Sequence, residues 1–213
     1  MNKEIYTIGR EFGSGGIDIG KSLAEKLGIS FYDKNLLQKA AKDSGFAEEI
    51  FEKHDERPSS SFLYSLVMDS YSLGGYTTAP FLDMPLNHKI FLAQFDTIKK
   101  IAENESCVIV GRCADYALSE NPNLISVFIH ADNDFKIDRI TKSMNISKEE
   151  AQDLIHKTDK HRSSYYNYYT SKKWSSSQSY NLTLDSSKLG VEGCVQMILK
   201  FREEMSKFKD ETK

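Results

Sequence analysis

The sequence predicts a doubly wound α/β fold, a parallel sheet covered by helices on both faces. Three observations carry that expectation. A β-branched run, Ile5-Tyr6-Thr7-Ile8, stops at the glycine-rich stretch Gly9-Arg10-Glu11-Phe12-Gly13-Ser14-Gly15-Gly16, and a helical pattern begins where the loop ends. Two later runs, 106–111 (SCVIVG) and 124–130 (LISVFIH), are continuously apolar, as strands buried on both faces are. The segments between strands have crossover length, which makes the strands parallel and places ligands at their carboxyl ends.

The elements follow in order. Residues 4–9 read as a buried strand and 15–27 as a helix. In that helix Ile19, Leu23 and Leu27 recur at i, i+4 and i+8 with Ala24 beside them, and Asp18, Lys21 and Glu25 form the opposite polar face. Residues 29–33 (ISFYD) are a second strand ending in an acid, and 35–41 start another helix. From 57 to 87, Pro58, Gly74-Gly75, Pro80 and Pro85 break a segment that also carries Phe62, Leu63, Tyr64, Leu66, Val67 and Met68, so a mobile, partly helical insert is expected. Residues 88–103 have helical spacing, 106–111 is the strongest strand of the chain, and 124–130 is nearly as strong. Helices are expected at 132–144 and 147–158, a short last strand at 181–185, and a charged amphipathic helix from Val191. No internal repeat is present.

Composition bounds the function. A chain of 213 residues fits one α/β domain with at most a small insert. No apolar run approaches membrane-spanning length, and the N-terminus runs almost directly into a strand, so neither a membrane protein nor a signal peptide is expected. Cys107, Cys113 and Cys194 are odd in number and lack metal-ligand spacing, which suits a reduced, cytoplasmic protein. The formal charge of −3 argues against a nucleic-acid binder. Positive charge is local: residues 136–173 hold nine Lys/Arg against five Asp/Glu, whereas 48–57 is net negative.

Bare backbone N–H groups and a helix N-terminus aimed at one place make phosphate the first ligand to consider. Two registers of the loop are readable. Gly15, Gly20, Lys21 and Ser22 satisfy G-x-x-x-x-G-K-[ST], the phosphate-loop pattern. The helical spacing that begins at Ile19 instead makes Lys21 a solvated surface lysine. The preferred register starts the loop at Gly9 and the helix near Gly15, so that Gly13, Ser14, Gly15 and Gly16 lie where phosphates would sit. Gly20 is then a mid-helix glycine, costing about 1 kcal/mol against alanine and implying close helix–sheet packing.

The strands end at Gly9-Arg10, Asp33, Gly111-Arg112 and His130, which gathers two arginines and an acid at the crevice the loop opens into. Arginine just past a core strand is costly to bury without an anion or acid partner. Arg112 can pair with Asp115 or Asp33, and Asp33 can alternatively cap the helix starting at Asn35. Arg139, Lys142, Lys160 and Arg162 bracket a helical segment, and arginine matches phosphate bidentately.

The runs GREFGSGG, FYDKNLL, VIVGRCADYAL, DKHRSSYYNYYTSKKW and YNLTLDSSKLG together resemble the cytidylate kinase-like family, a branch of the P-loop nucleoside monophosphate kinases, over nearly the whole chain from Ile5 to about Ile198. The resemblance implies a three-layer α/β/α P-loop NTPase fold with a five-stranded parallel sheet. It implies one kinase domain over 1–213: a core of 1–33, 105–138 and 174–205, a helical substrate-binding insert at about 34–104 and a short lid at about 139–173. It implies transfer of the γ-phosphoryl of ATP to a nucleoside monophosphate, CMP or dCMP by analogy, with Mg2+. By position, Gly13, Ser14, Gly15 and Gly16 would cradle the ATP phosphates, Asp33 would face the acceptor nucleotide and Arg112 would grip its phosphate. Arg139 and Arg162 resemble the arginines that close over the transferring group.

The family's phosphate-loop lysine falls at Gly16 here, and Arg10, Lys21 or a lid arginine is left to replace its charge. The acid that follows the Gly-Arg pair in those enzymes is Cys113 here, with Asp115 the nearest replacement. Tyr165, Tyr166, Tyr168, Tyr169 and Trp174 form an aromatic run expected either to stack a base or, more in keeping with such stripes, to pack a homodimer. His54, His88, His130, His156 and His161 read as structural or surface residues, since phosphoryl transfer between phosphates needs no general-base histidine. A kinase of the same fold with another small acceptor, or a non-catalytic nucleotide-binding regulator, are the alternatives.

Overall fold

The computed structural model describes residues 3–33, Leu36, Gln38, Lys39, Lys42 and 85–211. The expected insert at 57–87 lies outside the described residues except for 85–87, as does His54. Five strands, β1 (Ile5–Arg10), β2 (Ser30–Tyr32), β3 (Cys107–Val110), β4 (Leu124–His130) and β5 (Leu182–Asp185), form one sheet in the order β2-β3-β1-β4-β5. Every pairing is parallel: Ile5 lies opposite both Cys107 and Leu124, and Arg10 opposite Ile129. Among the described residues, the helices with defined bounds are α1 (Gly16–Leu27), α2 (Leu86–Asn104), α3 (Ala114–Ala117), α4 (Asn133–Met144), α5 (Lys148–Thr170) and α6 (Ser186–Glu211).

Strand alternation sorts the core into layers. Tyr6, Ile8, Val108, Val110, Val127 and Ile129 face Ile19, Leu23 and Ala24 of α1 and Cys194, Val195 and Ile198 of α6. Ile5, Cys107 and Ile109 face the other way, against Ile98, Ile101 and Ala102 of α2 and Ala114 and Ala117 of α3. The three-layer expectation therefore holds. The chain runs from β1 across to β2, returns through β3, and leaves on the other side through β4 and β5, so the switch point lies at the carboxyl ends of β1 and β3.

Two helices differ from expectation. The helix expected at 147–158 runs on to Thr170. It opens on a capping box, in which Ser147 accepts from the Glu150 N–H and Glu150 accepts from the Ser147 N–H. Its second half is held by burial rather than propensity: Tyr165, Tyr166 and Tyr169 pack with Phe91, Leu92, Phe128 and Tyr180, and the Phe91 and Tyr169 rings stack with centroids 4.0 Å apart. These tyrosines are thus part of the chain's own core, and neither base stacking nor a dimer is needed to bury them. The last helix starts at Ser186 rather than Val191, because it is two segments kinked at Gly190 (φ 65°, ψ −178°).

Candidate active site

The loop between Arg10 and Gly16 is shaped by the space its neighbours leave. Gly13 (φ 84°) and Gly15 (φ 80°) occupy the left-handed region, where a side chain is strained. A Cβ on Gly13 would stand 3.1 Å from Cβ of Lys136, and one on Gly15 3.6 Å from Cζ of Arg139, so α4 lies directly over the loop. A Cβ on Gly16 would stand 2.6 Å from Cβ of Arg10, closer than two carbons can approach. Only glycine fits there.

The loop is tied down on several sides. The Glu11 N–H donates to the Ile129 carbonyl (3.0 Å), and Lys136 Nζ donates to Glu11 Oε2 (2.8 Å). The Phe12 N–H donates to Asp159 Oδ1 (2.7 Å), reaching α5. Ser14 is buried and its hydroxyl donates to the Glu11 carbonyl (2.8 Å), while Ser186 Oγ donates to the Ser14 carbonyl (2.6 Å). Preorganisation of this kind removes the ordering cost of receiving an anion.

The structure also distinguishes the two loop registers. The Ile19 N–H donates to the Gly15 carbonyl (3.0 Å), so the helix is established from Gly15 onward. Lys21 is exposed on α1 and does not line the cleft above the loop. That cleft, of about 690 Å³, is bordered by Gly13, Gly15, Gly16, Arg10, Arg139 and Arg162. Arg139 pairs with Asp18, at the start of α1.

A second site lies beside it at the end of β3. Gly111, Arg112 and Cys113 are three consecutive left-handed residues (φ 78°, 55° and 55°), two of them not glycine. Each non-glycine residue in that region costs about 1–2 kcal/mol, and such strain collects at functional sites. The turn holds Arg112 buried, its Nη1 donating to the Val110 carbonyl (3.1 Å) and lying 3.3 Å from Asp33 Oδ1. The side chain of Asp33 takes Arg112, and its carbonyl accepts the Leu36 N–H (3.1 Å); the start of the helix it is expected to cap lies outside the described residues.

Asp115 is buried behind this turn and accepts a hydrogen bond from the Tyr166 hydroxyl (2.7 Å). Burial pushes its carboxyl above the usual carboxylate range, against the opposing pull of Tyr166 and Lys172. Arg10, Arg112, Arg162 and Asp115 surround a pocket closed by Tyr165 and Trp174, with free volume of about 20 Å³, the scale of one water molecule. Arg10 and Arg162 are the residues that line both the cleft and this pocket. Arg162 Nη1 donates to the Arg10 carbonyl (3.3 Å), and its guanidinium lies 5.6 Å from the Phe12 ring centroid.

Of the site residues expected from sequence, Gly13, Gly15, Gly16, Arg10, Arg139 and Arg162 meet at the cleft, with Ser14 beneath it, and Arg112, Asp33 and Asp115 gather next to it. Lys21 stands apart. Sequence reading missed Glu11, Lys136, Asp159 and Ser186, which hold the loop. One signal for Asp159 was available, its i, i+3 spacing to Arg162 on one helix face. Of the histidines, His88 is buried with Nε2 3.1 Å from the Tyr168 hydroxyl, and burial lowers its pKa; His156 and His161 are exposed.

A glycine loop joining the first strand to the first helix of a β2-β3-β1-β4-β5 parallel sheet defines the P-loop kinase fold. The chain belongs to the cytidylate kinase-like family, whose model matches residues 5–188. It is similar to an uncharacterized protein from Eubacterium ventriosum ATCC 27560, at 33% identity and a TM-score of 0.71 over 94% of this chain and 99% of that one. More distantly it resembles a shikimate kinase from Bacteroides thetaiotaomicron (16% identity, TM-score 0.54, 94% and 98% covered). A gluconokinase from Sinorhizobium meliloti 1021 aligns comparably (13% identity, TM-score 0.54, 99% and 97% covered). No curated protein matches it.

Proposed function

We propose that this protein transfers the γ-phosphoryl group of ATP to a nucleoside monophosphate, with CMP or dCMP the first acceptors to test. The carrying observation is the junction of two anion-receptive chambers at Arg10 and Arg162. One chamber has the glycine cradle and Arg139; the other has buried Arg112 with Asp33 and Asp115. A phosphoryl group passing between them would cross the two shared guanidiniums, which is where charge on the equatorial oxygens needs stabilising.

The residues present fit ATP. Gly13, Gly15 and Gly16 border the cleft with bare backbone, and the loop runs into a helix N-terminus. Mg2+ would arrive on the nucleotide phosphates, keeping several of its waters. Bound there, it neutralises charge on the β- and γ-phosphates. Arg139 is the best-placed replacement for the lysine that Gly16 displaces, since its guanidinium already lies over Gly15 and is held by Asp18.

The small free volume around Arg112 supports a second reading, a compact acceptor other than a nucleotide. A coupled ADP-release assay separates the two, run with nucleoside monophosphates and with small hydroxylated acids such as shikimate and gluconate. Turnover above background with CMP or dCMP alone supports the proposal. Turnover with a small acid supports the second reading, and ATP binding without turnover on any acceptor refutes both.

A further inference from the structure

The structure assigns Asp159 the role of a positioning residue that couples helix α5 to the phosphate loop, holding the loop in its phosphate-receiving shape through the Phe12 amide. This inference rests on the reading above that Gly13–Gly16 receives nucleotide phosphates.

Helix α5 touches the loop's backbone at two points one turn apart. Asp159 Oδ1 accepts the Phe12 N–H at 2.7 Å, and Arg162 Nη1 donates to the Arg10 carbonyl at 3.3 Å while its guanidinium covers the Phe12 ring at 5.6 Å. One residue reads a donor and the other an acceptor, so together they fix the orientation of the 10–12 backbone relative to α5. The residues on either side of Phe12 are held by other elements: Glu11 by the Ile129 carbonyl and Lys136, and Ser14 by Glu11 and Ser186. The contact that ties the Phe12 N–H to α5 is the one from Asp159. A carboxylate at a loop amide makes a charge-assisted bond, roughly twice as strong as a neutral one. Its loss would free the peptide that leads directly into Gly13, whose φ of 84° depends on the path of the chain before it.

The groups facing Asp159 set how it titrates. Glu11 of the loop repels its charge, Lys136 of α4 and Arg162 of α5 attract it, and the Phe12 N–H favours the ionised form. His156 shares the small cavity between α4 and α5 with it. Burial outweighs the favourable contacts and pushes the carboxyl up to about 6. The tether is thus mostly ionised at neutral pH and loses its charge in mildly acidic solution.

Two measurements test this on the full chain. In the nucleotide-free protein, the Phe12 amide resonance followed by 1H–15N NMR is expected to titrate with a midpoint near 6, and to stop doing so in Asp159→Asn. An amide that does not move, or that moves equally in the variant, overturns the contact whatever the protein does with ATP. For the coupling, ATP affinity is measured by calorimetry for wild type, Asp159→Asn and Asp159→Ala at pH 5.0 and 7.5. Loss of a charged hydrogen bond predicts about tenfold weaker ATP binding for Asp159→Ala at pH 7.5. The ratio of wild-type to Asp159→Asn affinity should be greater than one at pH 7.5 and near one at pH 5.0, the nucleotide's own protonation cancelling in the ratio. Equal affinities at both pH values overturn the coupling. A wild type that binds no nucleotide at all overturns the kinase reading and the coupling with it, while the NMR result still decides the contact.

Discussion

Replacing Gly16 by alanine adds one methyl group at the most crowded point of the phosphate loop. The new Cβ would lie 2.6 Å from Cβ and 3.1 Å from Cγ of Arg10, with Cγ2 of Ile8 at 3.6 Å. No rotamer change relieves the first contact, because a Cβ is fixed by its own backbone. Arg10 cannot retreat either, since it is paired with Ile129 in the middle of the sheet. The start of α1 must therefore move away from β1 by roughly 1 Å to restore ordinary carbon–carbon separation. Overpacking of this kind costs about 1–3 kcal/mol. At roughly 2–4 °C per kcal/mol for a domain of this size, Tm should fall by about 2–12 °C. The loop amides move with the helix, and a displacement of that order can cost up to about 100-fold in a reaction that depends on positioning. Differential scanning fluorimetry with and without ATP reads both effects. Gly20→Ala is the control: its Cβ would meet only outer side-chain atoms, Phe31 Cε2 at 3.0 Å and Ile8 Cδ1 and Val110 Cγ2 at 3.2 Å, with none under 3.0 Å, so its Tm should fall less. An unchanged Tm and an unchanged ATP-induced shift for Gly16→Ala would refute the reasoning.

Four further outcomes are expected. Lys21→Ala should leave the ATP dissociation constant unchanged while Arg112→Ala raises the acceptor KM or abolishes transfer with ATP binding intact; a large loss of ATP affinity in Lys21→Ala would restore the other loop register. Tyr166→Phe removes the hydroxyl that donates to buried Asp115 and should cost about 1–3 kcal/mol, read as a lowered denaturant midpoint; no change would mean that the carboxyl finds another donor. The Asp159 carboxyl rises from 3.8 to about 6 on folding, so between those values the native state holds a proton that the unfolded chain releases, and its contribution to stability falls as pH rises through that window. Its full value of about 3 kcal/mol shrinks to roughly half once solvent screening is allowed for; Asp159→Asn should therefore gain Tm over wild type progressively from pH 4 to 6, and a pH-independent difference would show that the carboxyl titrates normally.

The fold was legible because its signals are periodic. Continuous apolar runs mark β3 and β4, and the i, i+4, i+8 spacing of Ile19, Leu23 and Leu27 marks the buried face of α1. The second half of α5 was not legible, since four tyrosines in five residues carry neither a clear helical nor a strand period. Only contact with Phe91 of α2 and Phe128 of β4 shows why that segment is helical. In the site, glycines and arginines at strand ends announce themselves, because each is costly at such a place without a reason. Lys136 and Asp159 do not. On an amphipathic helix a single charged residue looks solvated until the topology carries α4 and α5 over the loop.

That topology bears on the position where the sequence resemblance leads one to expect a phosphate-loop lysine. At Gly16 the space is taken by Arg10 leaning across from the end of β1. A lysine at position 16 would meet the same Cβ contact as alanine, so any residue with a Cβ at position 10 requires glycine at position 16. The cations that line the cleft come from three different elements: Arg10 from β1, Arg139 and Lys142 from α4 and Arg162 from α5. A lysine on α1 would be present whenever the loop is folded. Arg139 and Arg162 are brought to the loop by helices that also bond to it, through Lys136 to Glu11 and Asp159 to Phe12, while the tyrosines of α5 pack in the core. On the proposed function, the charge that receives the phosphate is therefore carried by the same helices that hold the loop in shape.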